Sequence, residues 1–115
     1  MNQKEIWLIN LGPTIGAEIK KTRPCVILND DSIGVLPLKI IAPITDFKEK
    51  FKAVPWMIRL IPDKSNNIGK VSVIDVFQVR SVSEKRLIKR IGTISNDDLL
   101  KVQEGLKIVF GIGIA

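Results

Sequence analysis

The sequence predicts a mainly β protein with minor α content, built as a small, strongly bent antiparallel sheet or barrel with a C-terminal helix. Five or six short apolar segments are separated by turn-rich loops, and one amphipathic helical pattern comes last. Strands and helices do not alternate as they would in a doubly wound sheet. With 115 residues and no linker or internal repeat, residues 1–115 are expected to form a single domain.

The first part of the chain predicts two strands joined by a charged loop. Residues 6–11 are apolar and predict a strand, whereas residues 12–22 carry Gly, Lys and Glu and predict a loop. Residues 24–28 are apolar on both faces, which is typical of a strand in the centre of a sheet. The charged loop is therefore expected to lead directly into a central strand.

The third apolar segment contains two prolines. After a predicted turn at residues 29–34, residues 35–44 predict a strand that is interrupted by Pro37 and Pro43. Proline has no amide hydrogen and cannot donate to a β-ladder. This strand is therefore expected to lie at the edge of the sheet or to bend near its prolines.

The second half alternates loops with shorter strand candidates. A basic connection at residues 46–52 leads to a strand candidate at 54–61, and a turn-rich loop follows at 62–70. Residues 71–82 predict one long strand or two short ones. Residues 83–91 are strongly basic and have a composition typical of helices.

The last segment carries the clearest helical pattern. Ser95 can serve as N-cap, and Asp97 and Asp98 would place negative charge in the first turn, where the helix dipole favours it. Gly111 is predicted to end the helix. Apolar residues recur at three- and four-residue steps and predict one buried stripe: Leu99, Val102, Leu106 and Val109.

Composition limits the chemistry available to the chain. Histidine is absent, which excludes imidazole acid–base catalysis and histidine metal ligation. The one cysteine, Cys25, lies in an apolar strand and is predicted to be a buried thiol rather than a nucleophile. Catalysis would have to use Arg, Lys, Glu, Asp, Ser or Thr, and neither a metal ion nor a cofactor is expected.

The charge of the chain indicates an anionic partner. The net charge is +6 and the isoelectric point lies near 9.7, so RNA or DNA is the first candidate, although a domain that merely happens to be basic explains the charge equally well. No apolar run reaches the roughly 20 residues of a membrane span, and the N-terminus lacks the apolar region of a signal peptide. A cytoplasmic protein with no membrane partner is therefore expected.

One arginine stands at the junction of the charged loop and the central strand. Arg23 precedes Pro24, and a residue before proline is restricted to extended geometry. A guanidinium fixed at a loop edge suits a phosphate ligand, because its planar fork can bind two phosphate oxygens at once. Arg23 is therefore the leading candidate for a functional residue.

Five segments, in this order, resemble the MazF/PemK toxin family, and the resemblance runs from about Ile6 to about Gly111. One such segment would be weak evidence, but five at matching intervals are specific. The segments are I-W-L-I-N-L-G-P-T-I-G-A-E from Ile6, T-R-P-C-V-I-L from Thr22, A-P-I-T from Ala42, Q-V-R-S-V-S-E-K-R-L from Gln78 and I-G-T-I-S-N-D-D-L from Ile91.

The resemblance implies an SH3-like barrel that forms a homodimer. It implies the toxin of a type II toxin–antitoxin system: a metal-independent, sequence-selective endoribonuclease that cuts single-stranded RNA such as mRNA. The family's products are a 2′,3′-cyclic phosphate and a 5′-hydroxyl. A cognate antitoxin is also implied, with a disordered tail that occupies the RNA groove.

By position, the resemblance implies roles for individual residues. Arg23 matches the family's catalytic arginine, Thr45 its partner threonine, and Glu18 an acidic loop residue. Gln78 and Arg80 fall where the family has a Gln and a basic residue near the dimer groove. These two lie two residues apart and share a strand face, so they are predicted to read a base edge and a phosphate, and a solvated sheet face explains them equally well.

The chemistry of RNA cleavage gives the catalytic candidates different tasks. Arg23 is permanently charged and would stabilise the phosphorane, and Thr45 would donate a hydrogen bond to the same phosphate. Arginine is a poor base at neutral pH, so Glu18 is the candidate general base. Each has a structural alternative as an ion-pair, strand-end or solvated loop residue. Four lysines are predicted to contact RNA: Lys20, Lys21, Lys48 and Lys50.

Two positions depart from the family pattern. Ile19 stands where many members have Gln, and Phe77 stands where many members carry an acid immediately before the residue matched by Gln78. The nearest acid is Asp75, which strict strand alternation turns away from Gln78 unless a bulge reverses it. A mechanism that uses the family's acid as proton donor therefore lacks its residue here.

Two other functions stay open at this point. One is a non-catalytic toxin of related architecture that binds a protein target such as a topoisomerase. The other is a non-enzymatic domain that binds RNA or DNA through its positive charge. Neither would cut RNA, so cleavage separates both from the endoribonuclease.

Overall fold

Seven antiparallel strands and one C-terminal helix form the fold in the computed structural model, which describes residues 1–33 and 36–113. The predicted mainly β class is confirmed. Gly34 and Val35, which belong to the predicted turn and third strand, lie outside the described residues. The elements are β1 Glu5–Asn10, β2 Thr22–Ile27, β3 Leu38–Asp46, β4 Met57–Leu60, β5 Ser72–Asp75, β6 Arg80–Ser83, β7 Leu87–Thr93 and α1 Asn96–Phe110.

The proline-containing strand, β3, lies inside the sheet and changes neighbours along its length. The strand order is β4–β5–β3–β2–β1–β7, with β6 also paired to β3. Residues 38–41 of β3 pair with β6, whereas residues 44–46 pair with β5. Pro43 lies where the neighbour changes, at a position that suits its missing amide hydrogen. Of the two predicted alternatives, the edge position is wrong, and the bend stays a prediction.

Both faces of β2 are buried, as predicted for a central strand. Cys25 and Ile27 belong to one apolar cluster, whereas Val26 and the adjoining Leu28 belong to another, which also contains Val102 of α1. Because alternate residues of β2 face different clusters, a shift of one residue would exchange them all. The two clusters therefore fix the register of the strand that begins at the charged loop.

The second half contains a strand where the composition is typical of a helix. Residues 71–82 form two short strands, β5 and β6, separated by the 3₁₀ turn Val76–Gln78. Residues 83–91, whose composition is typical of helices, form the 3₁₀ turn Glu84–Arg86 and most of β7. β7 pairs with β1, which is far away in sequence, and the pairing buries Leu87. Helix-like composition was overridden by this long-range pairing.

The helix α1 has the predicted ends. The Ser95 hydroxyl accepts a hydrogen bond from the Asp98 amide at 3.0 Å, an interaction that contributes about 0.5–2 kcal/mol at a helix N-terminus. Gly111 ends the helix in the left-handed conformation at φ 68°. Val102 is buried in the core. Within the described residues, no helix is long and apolar enough to cross a membrane.

The loop between β4 and β5 is fixed closely against β7. The buried Asn66 side chain accepts hydrogen bonds from the amides of Asp63 (3.1 Å) and Ile68 (3.0 Å), so it holds the turn from within. At Gly92 of β7, a Cβ atom would lie only 2.5 Å from the carbonyl oxygen of Ser65. Glycine is therefore required at this position for the loop to approach the strand.

Replacing Gly92 with alanine should destabilise the protein by about 1–3 kcal/mol, because the added methyl group meets two loop carbonyls and the loop must shift. Urea unfolding measures this change in free energy. Gly69→Ala in the same loop is the matched control, since its Cβ would enter open space. Equal stability of the two variants would contradict the packing argument.

Candidate active site

Arg23 and Thr45 lie on one open cavity of about 450 Å³. β2 and β3 are antiparallel, with Cys25 opposite Pro43, and the same register continued by two residues places Arg23 opposite Thr45. Residues at directly opposed positions of two strands present their side chains on the same face. The strand pairing therefore brings together two predicted residues that are 22 positions apart in sequence.

The Arg23 guanidinium is half-buried and available to a ligand. Its Nε donates to the carbonyl oxygen of Lys20 at 3.2 Å, which anchors the side chain without neutralising its charge. Among the described residues, no carboxylate lies within ion-pair distance of Arg23. A positive charge that faces an open cavity without a protein counter-ion is suited to bind a phosphate.

The rim of this cavity comes from residues that the sequence did not single out. Asp46 and Lys70 form an ion pair at 3.1 Å, and both side chains are exposed. Asn67 donates from Nδ2 to the carbonyl of Ile91 at 2.9 Å, which ties the β4–β5 loop to β7. The polar composition of residues 62–70 was the only sequence signal for this rim. It predicted a loop but not that the loop lines a cavity.

A second cavity of about 360 Å³ holds Glu18, Gln78 and Arg80. Pro43 lines this cavity and Thr45 lines the first, and residues two apart on a strand share a face, so the two cavities are neighbours along β3. Glu18 is exposed and its carboxylate accepts a hydrogen bond from the Ile15 amide at 2.8 Å. The structure therefore separates Glu18 from the cavity of Arg23 and Thr45.

Gln78 is turned towards the β1–β2 loop. Its Oε1 accepts from the Ile19 amide at 2.6 Å, and its Nε2 donates to the carbonyl of Ala17 at 3.4 Å. Nε2 also donates to Asp75 Oδ2 at 3.2 Å. Because the 3₁₀ turn Val76–Gln78 interrupts the strand, Asp75 faces Gln78 and the strict alternation argument does not apply.

Two arginines also bind backbone of this loop. Arg80 donates from Nη1 to the carbonyl of Leu11 at 3.2 Å. Arg86 donates to the carbonyl of Asn10 at 3.2 Å and to that of Gly12. The geometry therefore commits part of the Arg80 side chain to the protein rather than to a nucleic acid. Sequence reasoning missed the contact of Arg86.

The predicted RNA-binding lysines lie outside both cavities. Lys20 and Lys21 are exposed on the β1–β2 loop, between Glu18 and Arg23. Lys48 and Lys50 are exposed in the β3–β4 connection. None of the four lines either cavity.

Burial is the largest cause of the shifted pKa values of the two groups Cys25 and Asp75. It raises the pKa of the Cys25 thiol to about 12, so Cys25 is a neutral core residue, as predicted. Burial also raises the pKa of Asp75, and hydrogen bonds from the Phe77 and Gln78 amides and the Gln78 side chain offset part of that rise. Within residues 1–33 and 36–113, no three acidic or cysteine side chains are grouped to hold a metal ion.

A bent β fold with an arginine that lacks a carboxylate partner among the described residues, and a threonine on the same open cavity, suits a protein that acts on phosphate groups. Comparison with known proteins identifies the family. Residues 2–110 match the family described as PemK-like, MazF-like toxin of type II toxin–antitoxin system. The chain therefore belongs to this toxin family, and the resemblance seen in five sequence segments is confirmed.

Individual relatives agree with this assignment. The protein named Endoribonuclease MazF from Staphylococcus epidermidis is 33% identical over 109 residues, which cover 94% of this chain and 89% of the relative. MazF from Deinococcus radiodurans has a similar structure, with a TM-score of 0.79 over 96% of each chain at 22% identity. A mycobacterial endoribonuclease, solved with its cognate antitoxin, has a TM-score of 0.76 at 10% identity, covering 100% of this chain and 99% of its own.

Lowering the pH from 7 towards about 4 should stabilise the wild-type protein relative to an Asp75→Asn variant. The folded pKa of Asp75 is raised above its unfolded value, so the folded state binds this proton first and gains stability as the pH falls through the raised pKa. Urea unfolding of both proteins at several pH values gives the difference. A difference independent of pH, or one that moves in favour of the variant, would contradict the prediction.

Proposed function

We propose that this toxin is an endoribonuclease that cuts single-stranded RNA, including mRNA, at the cavity of Arg23 and Thr45. The observation that carries the proposal is the convergence of these two side chains on one open cavity, with no counter-ion for Arg23 among the described residues. The 33% identity to an endoribonuclease over 94% of the chain supports it. The net charge of +6 favours a polyanionic substrate.

The reaction is an intramolecular transesterification. The ribose 2′-oxygen loses its proton and forms a bond to the adjacent phosphorus, the bond from phosphorus to the 5′-oxygen breaks, and the 5′-oxygen takes up a proton. The products are a 2′,3′-cyclic phosphate and a 5′-hydroxyl. Arg23 stabilises the negative charge that builds up on the phosphorane, and the Thr45 hydroxyl donates a hydrogen bond to a phosphate oxygen. No step in this scheme requires a metal ion.

Glu18 is the proposed general base. It is an exposed carboxylate in the cavity next to that of Arg23, on the loop whose Lys20 carbonyl binds the Arg23 guanidinium. Asp46 lines the Arg23 cavity itself, but its carboxylate is held in an ion pair by the Lys70 ammonium. Glu18→Gln should therefore slow cleavage more than Asp46→Asn.

The substrate binds across both cavities, because RNA recognised in single-stranded form can splay its bases into separate pockets. The exposed Lys20, Lys21, Lys48 and Lys50 contribute attraction to the RNA backbone, which salt will weaken. A cognate antitoxin silences the toxin by covering the same groove. The proposed compartment is the cytoplasm, where mRNA is translated.

A homodimer forms through an apolar face beside β6. Two adjoining hollows share Asn29, Ile40 and Ser81, and Phe110 of α1 lines one of them. Ile40 and Phe110 are exposed, and exposed apolar side chains that form a continuous patch mark protein interfaces. Arg80 lines both this face and the Glu18 cavity, so a second copy docked here would border the RNA groove.

Arg23→Ala should lower kcat/KM for RNA cleavage by about 10²–10³, because it removes the main charge that stabilises the transition state. Thr45→Val, which keeps the shape and removes the hydroxyl, should lower it by about tenfold or more. The assay uses long single-stranded RNA in the presence of EDTA. Arg59→Ala is the charge-matched control, since Arg59 lies over the Phe47 ring and lines a different groove.

Cleavage that persists in Arg23→Ala would contradict the assigned site, and cleavage that appears only with added divalent metal would contradict the mechanism. RNA that is bound in a salt-dependent way but never cut would identify a binding domain instead. Toxicity in cells without RNA cleavage, unaffected by Arg23→Ala, would identify a toxin with a protein target.

Ile40→Glu should convert the dimer to a monomer, because it places a charge in the centre of the proposed apolar interface. Sedimentation equilibrium of the wild-type and variant proteins measures the change in mass. Ile88→Glu, at another exposed isoleucine on β7, is the control and should stay dimeric. A wild-type protein that is monomeric at high concentration would contradict the interface.

A further inference from the structure

The β1–β2 loop is held at several points by side chains from one short segment. The segment runs from Gln78 to Arg86, and its three contacting side chains are defined here as the loop clamp: Gln78, Arg80 and Arg86. The two arginines bind carbonyl groups where the loop leaves β1. Gln78 binds the loop near its other end, at Ala17 and Ile19.

Gln78 forms hydrogen bonds with the backbone on both sides of Glu18. Its Oε1 accepts from the Ile19 amide, and its Nε2 donates to the Ala17 carbonyl, so the peptide groups that flank Glu18 are held by one side-chain amide. The Ile19 side chain packs against a core cluster that includes Leu11. Glu18 is itself exposed, and its position is therefore set by its neighbours.

Asp75 fixes the orientation of the Gln78 amide. The buried carboxylate of Asp75 accepts a hydrogen bond from Gln78 Nε2 at 3.2 Å and another from the Phe77 amide at 3.1 Å. An ionised carboxylate only accepts hydrogen bonds, so it selects the amide orientation in which Nε2 faces Asp75 and Oε1 faces Ile19. A flipped amide would lose both contacts.

The loop held by the clamp also contacts Arg23. The carbonyl of Lys20, one residue after Ile19, accepts a hydrogen bond from Arg23 Nε at 3.2 Å. At the other end of the loop, Arg80 and Arg86 make charge-assisted hydrogen bonds to Leu11, Asn10 and Gly12. Both residues assigned to proton transfer and charge stabilisation, Glu18 and Arg23, are thus linked to one set of contacts.

We propose that Gln78, Arg80 and Arg86 are positioning residues, which hold the Glu18 loop in its productive place, and that Asp75 orients Gln78. They act on the protein backbone and not on the bases of the RNA. This inference rests on the proposed endoribonuclease function. Positioning is needed because a misplacement of about 1 Å in a catalytic group can cost about 100-fold in rate.

The experiment compares the wild-type protein with Gln78→Met and Asp75→Asn. Gln78→Met keeps the side-chain length and removes every polar contact, while Asp75→Asn leaves Gln78 in place and disturbs its orientation. Hydrogen exchange of the Ile19 amide measures the clamp directly. We expect exchange to become about tenfold faster in both variants, since the hydrogen bond to this amide is lost or weakened.

Cleavage kinetics measure what the clamp does. We expect kcat to fall by about 100-fold in Gln78→Met with KM changed by only a few fold, because the catalytic geometry is lost while Arg23 and the lysines that attract the RNA backbone are kept. Arg80→Met should act in the same direction. Lys85→Met removes an equal charge from an exposed position in the same segment and should change neither the exchange of Ile19 nor kcat.

Two results would overturn the proposal. An unchanged Ile19 exchange with a raised KM in Gln78→Met would assign Gln78 to RNA contact. Faster exchange with unchanged kcat would show that the loop needs no clamp for catalysis. Failure of the wild-type protein to cut RNA would overturn the endoribonuclease function, and the exchange data would then still decide whether the clamp exists.

Discussion

The pairing of β2 with β3 is the constraint on which the candidate site depends. It sets Cys25 against Pro43, and the same register, extended two residues beyond the end of the ladder, sets Arg23 against Thr45. A slip of one residue would turn one of these side chains to the other face of the sheet. The buried faces of β2 prevent such a slip, because each accepts a different set of apolar residues. The core therefore fixes the register that brings these two residues onto one cavity.

The walls of the site are loops, yet the sheet holds them at specific points. Gly92 allows the β4–β5 loop to lie against β7, and the Ser65 carbonyl accepts a hydrogen bond from the Thr93 amide at 2.9 Å. On the opposite side, Gln78 binds backbone of the β1–β2 loop. The loops that carry the proposed RNA-binding groups are thus ordered at a cost that contacts with strands offset.

The structure shows what the buried acid Asp75 contacts. The residue before Gln78 is Phe77, which is exposed and packs with its ring centroid 5.5 Å from that of Trp56. The acid lies at the start of the 3₁₀ turn instead, where it accepts hydrogen bonds from the turn and from Gln78. Burying this carboxylate raises its pKa, so the contact is made against a desolvation penalty.

The sequence by itself determined the class of fold, the central position of β2 and both ends of α1, and it singled out Arg23 as the leading candidate for a functional residue. These features follow from local signals: apolar periodicity, capping residues, and the arginine before Pro24. Only the tertiary structure decided that residues 87–93 form a strand, that Glu18 lies in a separate cavity from Arg23, and that Gln78 and Arg80 bind the loop. Those outcomes depend on which distant strands pair and on which backbone groups the pairing brings within hydrogen-bond distance. Local composition carries no information about either.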